Sequence, residues 1–422
     1  MKKYWILLAA ALLCACNKPT DDRNKVVITP PTELQKFEAS VRPNYQIYQA
    51  NPKLFGSSSQ LKGIQNRLDE IKALGTDILY IMPIYPEGKK DAFGSPYCIK
   101  DYTAVNSACG SLDDVKALVK AAHSKGMKVM LDWVANHTAW DHAWIEEHPD
   151  WYVKNANGKI ISPAGWNDVA QLDYSSAGLQ SAMIAAMKYW ITEADIDGYR
   201  CDYAHGVADE FWKKAIPELK AAKPGFVMLA ESDYERMFSD GFDIIYDRGL
   251  RGAANDLIKG GKAESFVNYY KGSLSKTPAG KTKLHFVTNH DEAAEESPAT
   301  LFRSKDGAFA AFSLLAALNG SPMLYSSQET GYDKSINFFS VTNIDWNADA
   351  NLTSKYKNVL SELQKLDRDS ACTLYVYEGV IFVKYENSIL MGVNMSNAST
   401  KSVLPGSSEE YNFGAYEVKI WR

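Results

Sequence analysis

Asp202, Glu231 and Asp291 each follow a short apolar run, and acids so placed matter chemically only if they converge. Taken singly, an aspartate at a strand end is more often a helix cap or an ion-pair partner than a reacting group. Taken together they suit one kind of reaction. Breaking a glycosidic bond requires one carboxylic acid to protonate the leaving oxygen and a second carboxylate to attack or to activate water, through an oxocarbenium-like transition state. Asp202 and Glu231 follow neighbouring candidate strands and could supply both groups. Arg200, two residues before Asp202 on the same strand, faces the same side and is expected to keep that carboxylate ionised. Glu231, after the apolar run 226–230, sits where partial burial and nearby carboxylates are expected to raise its pKa, as a general acid requires.

The elements that must bring these acids together read as repeated βα units. Short β-branched or aromatic runs at 45–49, 77–82, 128–133, 197–201, 226–230, 242–246, 284–288 and 322–326 alternate with amphipathic stretches such as 61–74, 112–125, 179–194 and 208–222. Apolar runs buried on both faces need a helix layer outside, so this pattern predicts a closed α/β fold, a (β/α)8 TIM barrel. Polar clusters follow several strands: Asp132 to His137, Arg200 and Asp202, Glu231, Asn289 to Asp291, and Gln328 with Glu329. In such a barrel all strand C-termini open on one face, which is where those clusters would meet.

Two stretches depart from the repeat. Residues 138–172 separate the third strand from its helix by more than an ordinary loop and carry Trp140, Trp144, Trp151 and Trp166, which predicts a short excursion domain over the active face. Its tryptophans could be platforms for sugar rings or the core of a very small domain. Residues 368–422 hold candidate strands at 374–377, 380–385, 389–395 and 416–421 without helices, which predicts a C-terminal antiparallel β domain. The barrel is then expected over 34–367.

The ordered polar clusters resemble the conserved stretches of glycoside hydrolase family 13, the α-amylase family. Asp132-Trp133-Val134-Ala135-Asn136-His137 is similar to its DxxxNH, Gly198 to Asp202 to its GxRxD, Glu231 to its acid/base, and Phe286 to Asp291 to its NHD motif. Gly75 and Pro83 around the second strand and Gly320 to Glu329 at the eighth extend the likeness over roughly 44–422. The resemblance implies Asp202 as nucleophile, Glu231 as general acid/base and Asp291 as stabiliser of the transition state, with retention of configuration. It implies Tyr97, His137, Arg200 and His290 as binders of the sugar at the cleavage point, with Asp132 supporting Arg200. His205 stands where many members carry a lysine, and is expected to contact the sugar after that point. Asn136, Asp173 and the Gly206 carbonyl resemble the family's structural calcium ligands, oxygen donors that suit this ion. The excursion domain is short and its own ligand is not identifiable, and no other cofactor is implied.

An endo-acting hydrolase of α-1,4-glucosidic bonds in starch-type glucans and maltooligosaccharides is the expected function, since the loop after the first strand is short. An α-glucosidase, a neopullulanase or a glucosyltransferase would use the same residues. A glycan-binding protein on a silent scaffold would usually lack one carboxylate, and here all three stand.

Bulk properties agree with a globular chain. At 46% hydrophobic and 23% charged, its 422 residues exclude disorder and coiled coil. The net charge of −5, without a basic tract, speaks against nucleic acid and for a neutral ligand. Met1-Lys2-Lys3 followed by an apolar run to Leu13 has the layout of a secretory signal and is too short to span a bilayer. Ala15-Cys16 resembles a bacterial lipobox, which implies a signal over 1–16, a lipid anchor at Cys16, a tether over 17–33, and an exported monomeric lipoprotein at a membrane face. Cys98 and Cys109 are close enough in sequence to pair, and spacing alone does not show that they do.

Overall fold

The computed structural model describes residues 31–40, 42–386 and 390–421; the expected signal, the lipidation site and most of the tether lie outside these. In chain order the strands are β1 (Thr32–Phe37), β2 (Ile47–Ala50), β3 (Ile78–Ile81), β4 (Lys128–Trp133), β5 (His137–Ala139), β6 (Val169–Gln171), β7 (Gly198–Cys201), β8 (Val227–Ala230) and β9 (Ile244–Tyr246). They continue with β10 (Thr282–His285), β11 (Ser321–Tyr325), β12 (Cys372–Tyr377), β13 (Val380–Tyr385), β14 (Leu390–Asn394), β15 (Thr400–Val403), β16 (Glu410–Phe413) and β17 (Val418–Trp421). Strands β2, β3, β4, β7, β8, β9, β10 and β11 close into a barrel whose neighbours all run parallel. Helices such as Leu112–Ser124, Ala177–Ala194, Asp209–Ala222 and Lys305–Ala317 form the outer layer.

The barrel interior follows from strand periodicity. Ile47, Ile78, Tyr80, Met130, Val227, Leu229, Ile244, Tyr246, Leu284 and Met323 belong to one buried cluster, and successive residues of a strand alternate faces. Two residues beyond Met130 is Asp132, and two beyond Leu229 is Glu231. Gly198, Arg200 and Asp202 share a parity in the same way. The reacting groups therefore continue the inward-facing series at its open end. Gly198 is required by space: a Cβ there would stand 2.4 Å from the Val227 carbonyl oxygen, so the pairing of β7 with β8 admits no side chain.

Helix ends are set locally. Ser111 and Asp114 form a reciprocal capping box at the start of Leu112–Ser124. Lys305–Ala317 is apolar all round, which a surface helix cannot be, and its outer side is covered by the C-terminal domain. There the Tyr385 hydroxyl donates to the Ala317 carbonyl, and Arg368 donates to those of Ala316 and Leu318.

Three expectations are corrected. The tether does not run loose to residue 33, nor does the barrel begin at 34. Thr32–Phe37 is an edge strand of the C-terminal sheet, ordered β1-β12-β13-β14-β17, so the chain enters through its last domain. The seventh barrel strand begins at Thr282 rather than 284, since Lys283 hides its polar end in an ion pair with Glu235. The C-terminal domain also contains a second ladder, β15 with β16, that short polar runs concealed.

Candidate active site

Arg200 organises the site. Its side chain is wholly buried, and Nη1 donates to Asp132 Oδ1 at 2.8 Å and to Asp202 Oδ1 at 3.0 Å, while Nη2 lies 2.9 Å from Glu231 Oε2. One guanidinium thus joins acids from three adjacent strands. The second oxygen of Asp132 accepts from the Tyr80 hydroxyl and, at 3.0 Å, from that of Tyr97. With its proton so committed, Tyr97 can only accept from His290 Nε2 at 2.7 Å, while the Gln49 amide donates to His290 Nδ1 at 2.9 Å. His290 is thereby held as the neutral Nε2–H tautomer. His137 is held likewise, with Nε2 donating to the Tyr97 carbonyl and Nδ1 accepting from Asn136.

Asp202, Glu231, Asp291, Tyr97, His137 and His290 face one cleft of about 360 Å³, with Trp166, Asp168, Tyr203, Phe338 and Phe339 as further walls. Arg200 forms the cleft's floor from below. His205 is not brought to this cleft: its ring packs between Tyr203 and Tyr234, at centroid distances of 4.3 and 5.3 Å. Phe338 and Gln49 escaped the sequence reading because neither belongs to a charged motif. Phe338 stands edge-on to His290 at 5.0 Å, on a long loop after β11 that carries no periodic signal. Arg248 was missed too; its Nη2 donates to Glu231 Oε1 at 2.8 Å.

The four tryptophans of the excursion separate. Trp151 is buried and Trp144 packs on Tyr102, His142 and Trp151, which makes them the core of that small lobe. Trp140 donates its indole N–H to the Asn167 carbonyl. Trp166 alone of the four combines 38% exposure with a place in the cleft wall.

The proton affinities reverse the sequence expectation. Burial pushes the Asp202 carboxyl well above its ordinary range, since Arg200's opposing charge is shared among three acids and Glu231, Asp132 and Asp291 add repulsion. Burial would do the same to Glu231, but Arg200, Arg248 and the Tyr203 N–H outweigh it and hold that carboxyl below its usual range. Asp291 keeps 49% of its side chain open to the cleft while protein packs around the rest. Burial and then the Glu231 charge push it up to about 6.

Burial holds His137 and His142 down to about 4, from 6.5. The unfolded chain therefore binds protons that the folded one refuses, so this contribution to stability is complete above pH 6.5 and is lost as pH falls toward 4. Asp291, being raised, acts in the opposite sense. We expect Tm to fall with pH over this window and His142→Gln, outside the cleft, to fall less, as differential scanning calorimetry at stepped pH would measure.

Two of the three expected calcium ligands stand together. Asn136 Oδ1 does lie beside Gly206, 2.9 Å from where a Cβ would stand. Asp173 Oδ1, however, accepts from the Ser175 N–H in a local turn. Among the described residues no three His, Cys, Asp or Glu side chains gather to hold a metal. Cys98 and Cys109 are free: the first donates toward the Asp168 carbonyl and the second toward Gln60 Oε1, each at 3.2 Å.

Comparison with known proteins places this geometry. The model of the α-amylase catalytic domain matches residues 35–169. The α-amylase MalA of Haloarcula japonica is 28% identical over 299 residues, which cover 68% of this chain and 44% of the relative. An α-1,4-glucan:maltose-1-phosphate maltosyltransferase of Rhodospirillum rubrum is 33% identical over 190 residues, 39% of this chain and 27% of the relative. The chain thus spans less than half the length of either. Among solved structures, an α-amylase from Lactobacillus plantarum superposes with a TM-score of 0.80 at 27% identity, covering 90% of this chain and 99% of that one.

Proposed function

We propose that this chain, whose residues 35–169 match the model of the α-amylase catalytic domain, is a retaining, endo-acting hydrolase of α-1,4-glucosidic bonds in starch-type glucans and maltooligosaccharides. One observation carries the reading: Asp202 and Glu231 bind the two ends of a single guanidinium, at 3.0 and 2.9 Å, and open into one cleft. The shared guanidinium holds both acids beside one point in the cleft, as a nucleophile and an acid/base acting on the same C1–O bond must be held.

The reaction then runs in two halves. Glu231 gives its proton to the glycosidic oxygen while Asp202 attacks C1 and the C1–O bond breaks, leaving a glycosyl ester on Asp202. Glu231, now a base, takes a proton from water as the water oxygen attacks C1 and the ester bond breaks, which restores the α configuration. Asp291 holds hydroxyls of the sugar and helps balance the positive charge that develops on the ring. The rings of His290 and His137, held in place through Tyr97, line the cleft beside the sugar.

Product analysis after separate exposure to amylose, pullulan, maltotriose and a small α-glucoside tests the proposal. A ladder of maltooligosaccharides from amylose supports it. Glucose alone from short substrates would make it an exo-acting glucosidase, longer products from maltotriose would make it a transferase, and no product from any would leave only a binding role. Trp166 is proposed as a stacking platform, so Trp166→Ala is expected to raise KM for maltooligosaccharides about 3- to 10-fold with kcat nearly unchanged, from a stacking contribution of about 0.5 to 1.5 kcal/mol. Initial-rate kinetics would measure it.

We further propose export with a lipid anchor at Cys16 and a monomeric enzyme. Radiolabelled palmitate incorporation that disappears in Cys16→Ala would support the anchor. Among the described residues no helix is long and apolar enough to cross a membrane.

A further inference from the structure

Every oxygen of Glu231 is occupied by a donor. Oε2 accepts from the Tyr203 N–H at 2.8 Å and faces Arg200 Nη2 at 2.9 Å, and Oε1 accepts from Arg248 Nη2 at 2.8 Å. Two N–H donors and a facing guanidinium take three of the roughly four acceptor positions of the carboxyl and favour its charged form, so the site as it stands holds Glu231 as an anion. That is the form which ends the first half-reaction, not the form which starts it. Withdrawing one of these groups would let Glu231 take up the proton that an acid needs.

The three donors differ in their freedom. Arg200 is wholly buried and tied to Asp132 and Asp202, and Tyr203 contributes backbone. Arg248 opens the helix Arg248–Ile258 at the cleft mouth with 35% of its side chain exposed. It also has a second acid: Nη1 donates to Asp233 Oδ2 at 2.9 Å, and its backbone N–H donates to Asp233 Oδ1 at 2.8 Å. Moving off Glu231 therefore leaves the guanidinium paired. The Tyr246 ring beneath it, at 4.7 Å, offers a surface to slide on.

We propose that Arg248 is a positioning residue for the acid/base step, holding Glu231 as an anion in the open site and yielding Oε1 to the glycosidic oxygen when a glucan occupies the leaving-group side. This rests on the hydrolase reading above. On release, Oε1 takes a proton from solvent through the open cleft and passes it to the glycosidic oxygen as the C1–O bond breaks and the bond to Asp202 forms. In the second half Oε1 receives a proton from the attacking water, and Arg248 returns once that proton has left for solvent. The charged and titratable groups around Glu231 are Arg200 and Asp132 from below, Asp202 and Asp291 across the cleft, His290 beside them, Tyr246 on the next strand, and Arg248 with its neighbours Asp233, Arg251 and Glu292 at the mouth. Of these cations, Arg248 alone both touches Glu231 and reaches solvent.

The test is the pH profile of kcat/KM on maltooligosaccharides for wild type, Arg248→Gln, Arg248→Lys and Asp233→Asn. Removing the cation is expected to move the optimum up by about half a unit or more in Arg248→Gln, and the charge-preserving Arg248→Lys to stay within about 0.3 unit of wild type. Asp233→Asn removes the alternative partner, binds Arg248 more closely to Glu231, and is expected to move the optimum down. The exposed position of Asp233 keeps this arm informative if Arg248→Gln fails to fold. Optima unchanged in both variants overturn the proposal while leaving the hydrolase reading intact. A wild type with no turnover of any α-glucoside overturns both.

Discussion

Asp202→Asn is expected to fold normally and to lose turnover of α-glucan by on the order of 10⁴-fold or more in kcat. The carboxamide is close to isosteric and can still accept from Arg200 Nη1, which stands 3.0 Å from Oδ1 in the wild type. It cannot attack an anomeric carbon, and no neighbouring acid can take over, because Asp132 is committed to Arg200, Tyr80 and Tyr97 and Asp291 follows β10, three strands round the barrel from β7. Thermal stability should be unchanged or slightly improved, since the wild-type carboxyl is already pushed toward its neutral form by burial among other acids. Reducing-end release and Tm, measured on one preparation, separate the outcomes. Activity within tenfold of wild type would remove Asp202 from the role of nucleophile, and a collapse of Tm would make its role structural.

Arg200→Met is expected to have the largest effect on stability. Removing one partner of a buried ion pair costs about 3 to 5 kcal/mol because the other is left uncompensated, and here Arg200 compensates three acids at once. The destabilisation should depend on pH. Without the guanidinium the acids titrate higher, so the loss is greatest at neutral pH and shrinks as pH falls and the carboxyls take up protons. Urea midpoints at pH 7 and pH 5 would measure this, and an equal loss at both would mean that packing, not charge, is what Arg200 supplies. Activity should vanish at either pH, since Glu231 and Asp202 would lose their common anchor.

How far the site was legible in the sequence depends on what each residue's place rests on. Asp202, Glu231 and Arg200 are set by strand parity: once β7 and β8 are recognised as neighbouring inward-facing strands, their side chains must meet at the open end. Asp132 as support for Arg200 follows from the same logic on β4, and its oxygen lies 2.8 Å from Arg200 Nη1. Arg248 carries no such signal, because it stands at a helix start, where an arginine is ordinarily a solvated surface residue. The place of His205 likewise depends on packing. Its offset from the nucleophile is that of a subsite residue, but the turn through Ala204–Gly206 sends its ring against Tyr203 and Tyr234, beside the cleft. Proton affinities were out of reach because they depend on how one cation is divided. Burial raises both carboxyls, and three neighbouring acids raise Asp202 further against Arg200, whereas Arg200, Arg248 and the Tyr203 N–H outweigh burial at Glu231, which reverses the order.

The sequence by itself determined the barrel, the three acids at its mouth, the excursion lobe and a separate β domain at the end, because each of these is written in local periodicity, and periodicity is imposed by backbone geometry within a few residues. Tertiary structure alone decided which tryptophan faces the cleft, that Thr32–Phe37 belongs to the last domain, that Gln49 sets the tautomer of His290, and that Arg248 rests on Glu231. Each of these is a contact between residues distant in the chain, and such contacts arise from packing whole elements against one another, which no local pattern encodes.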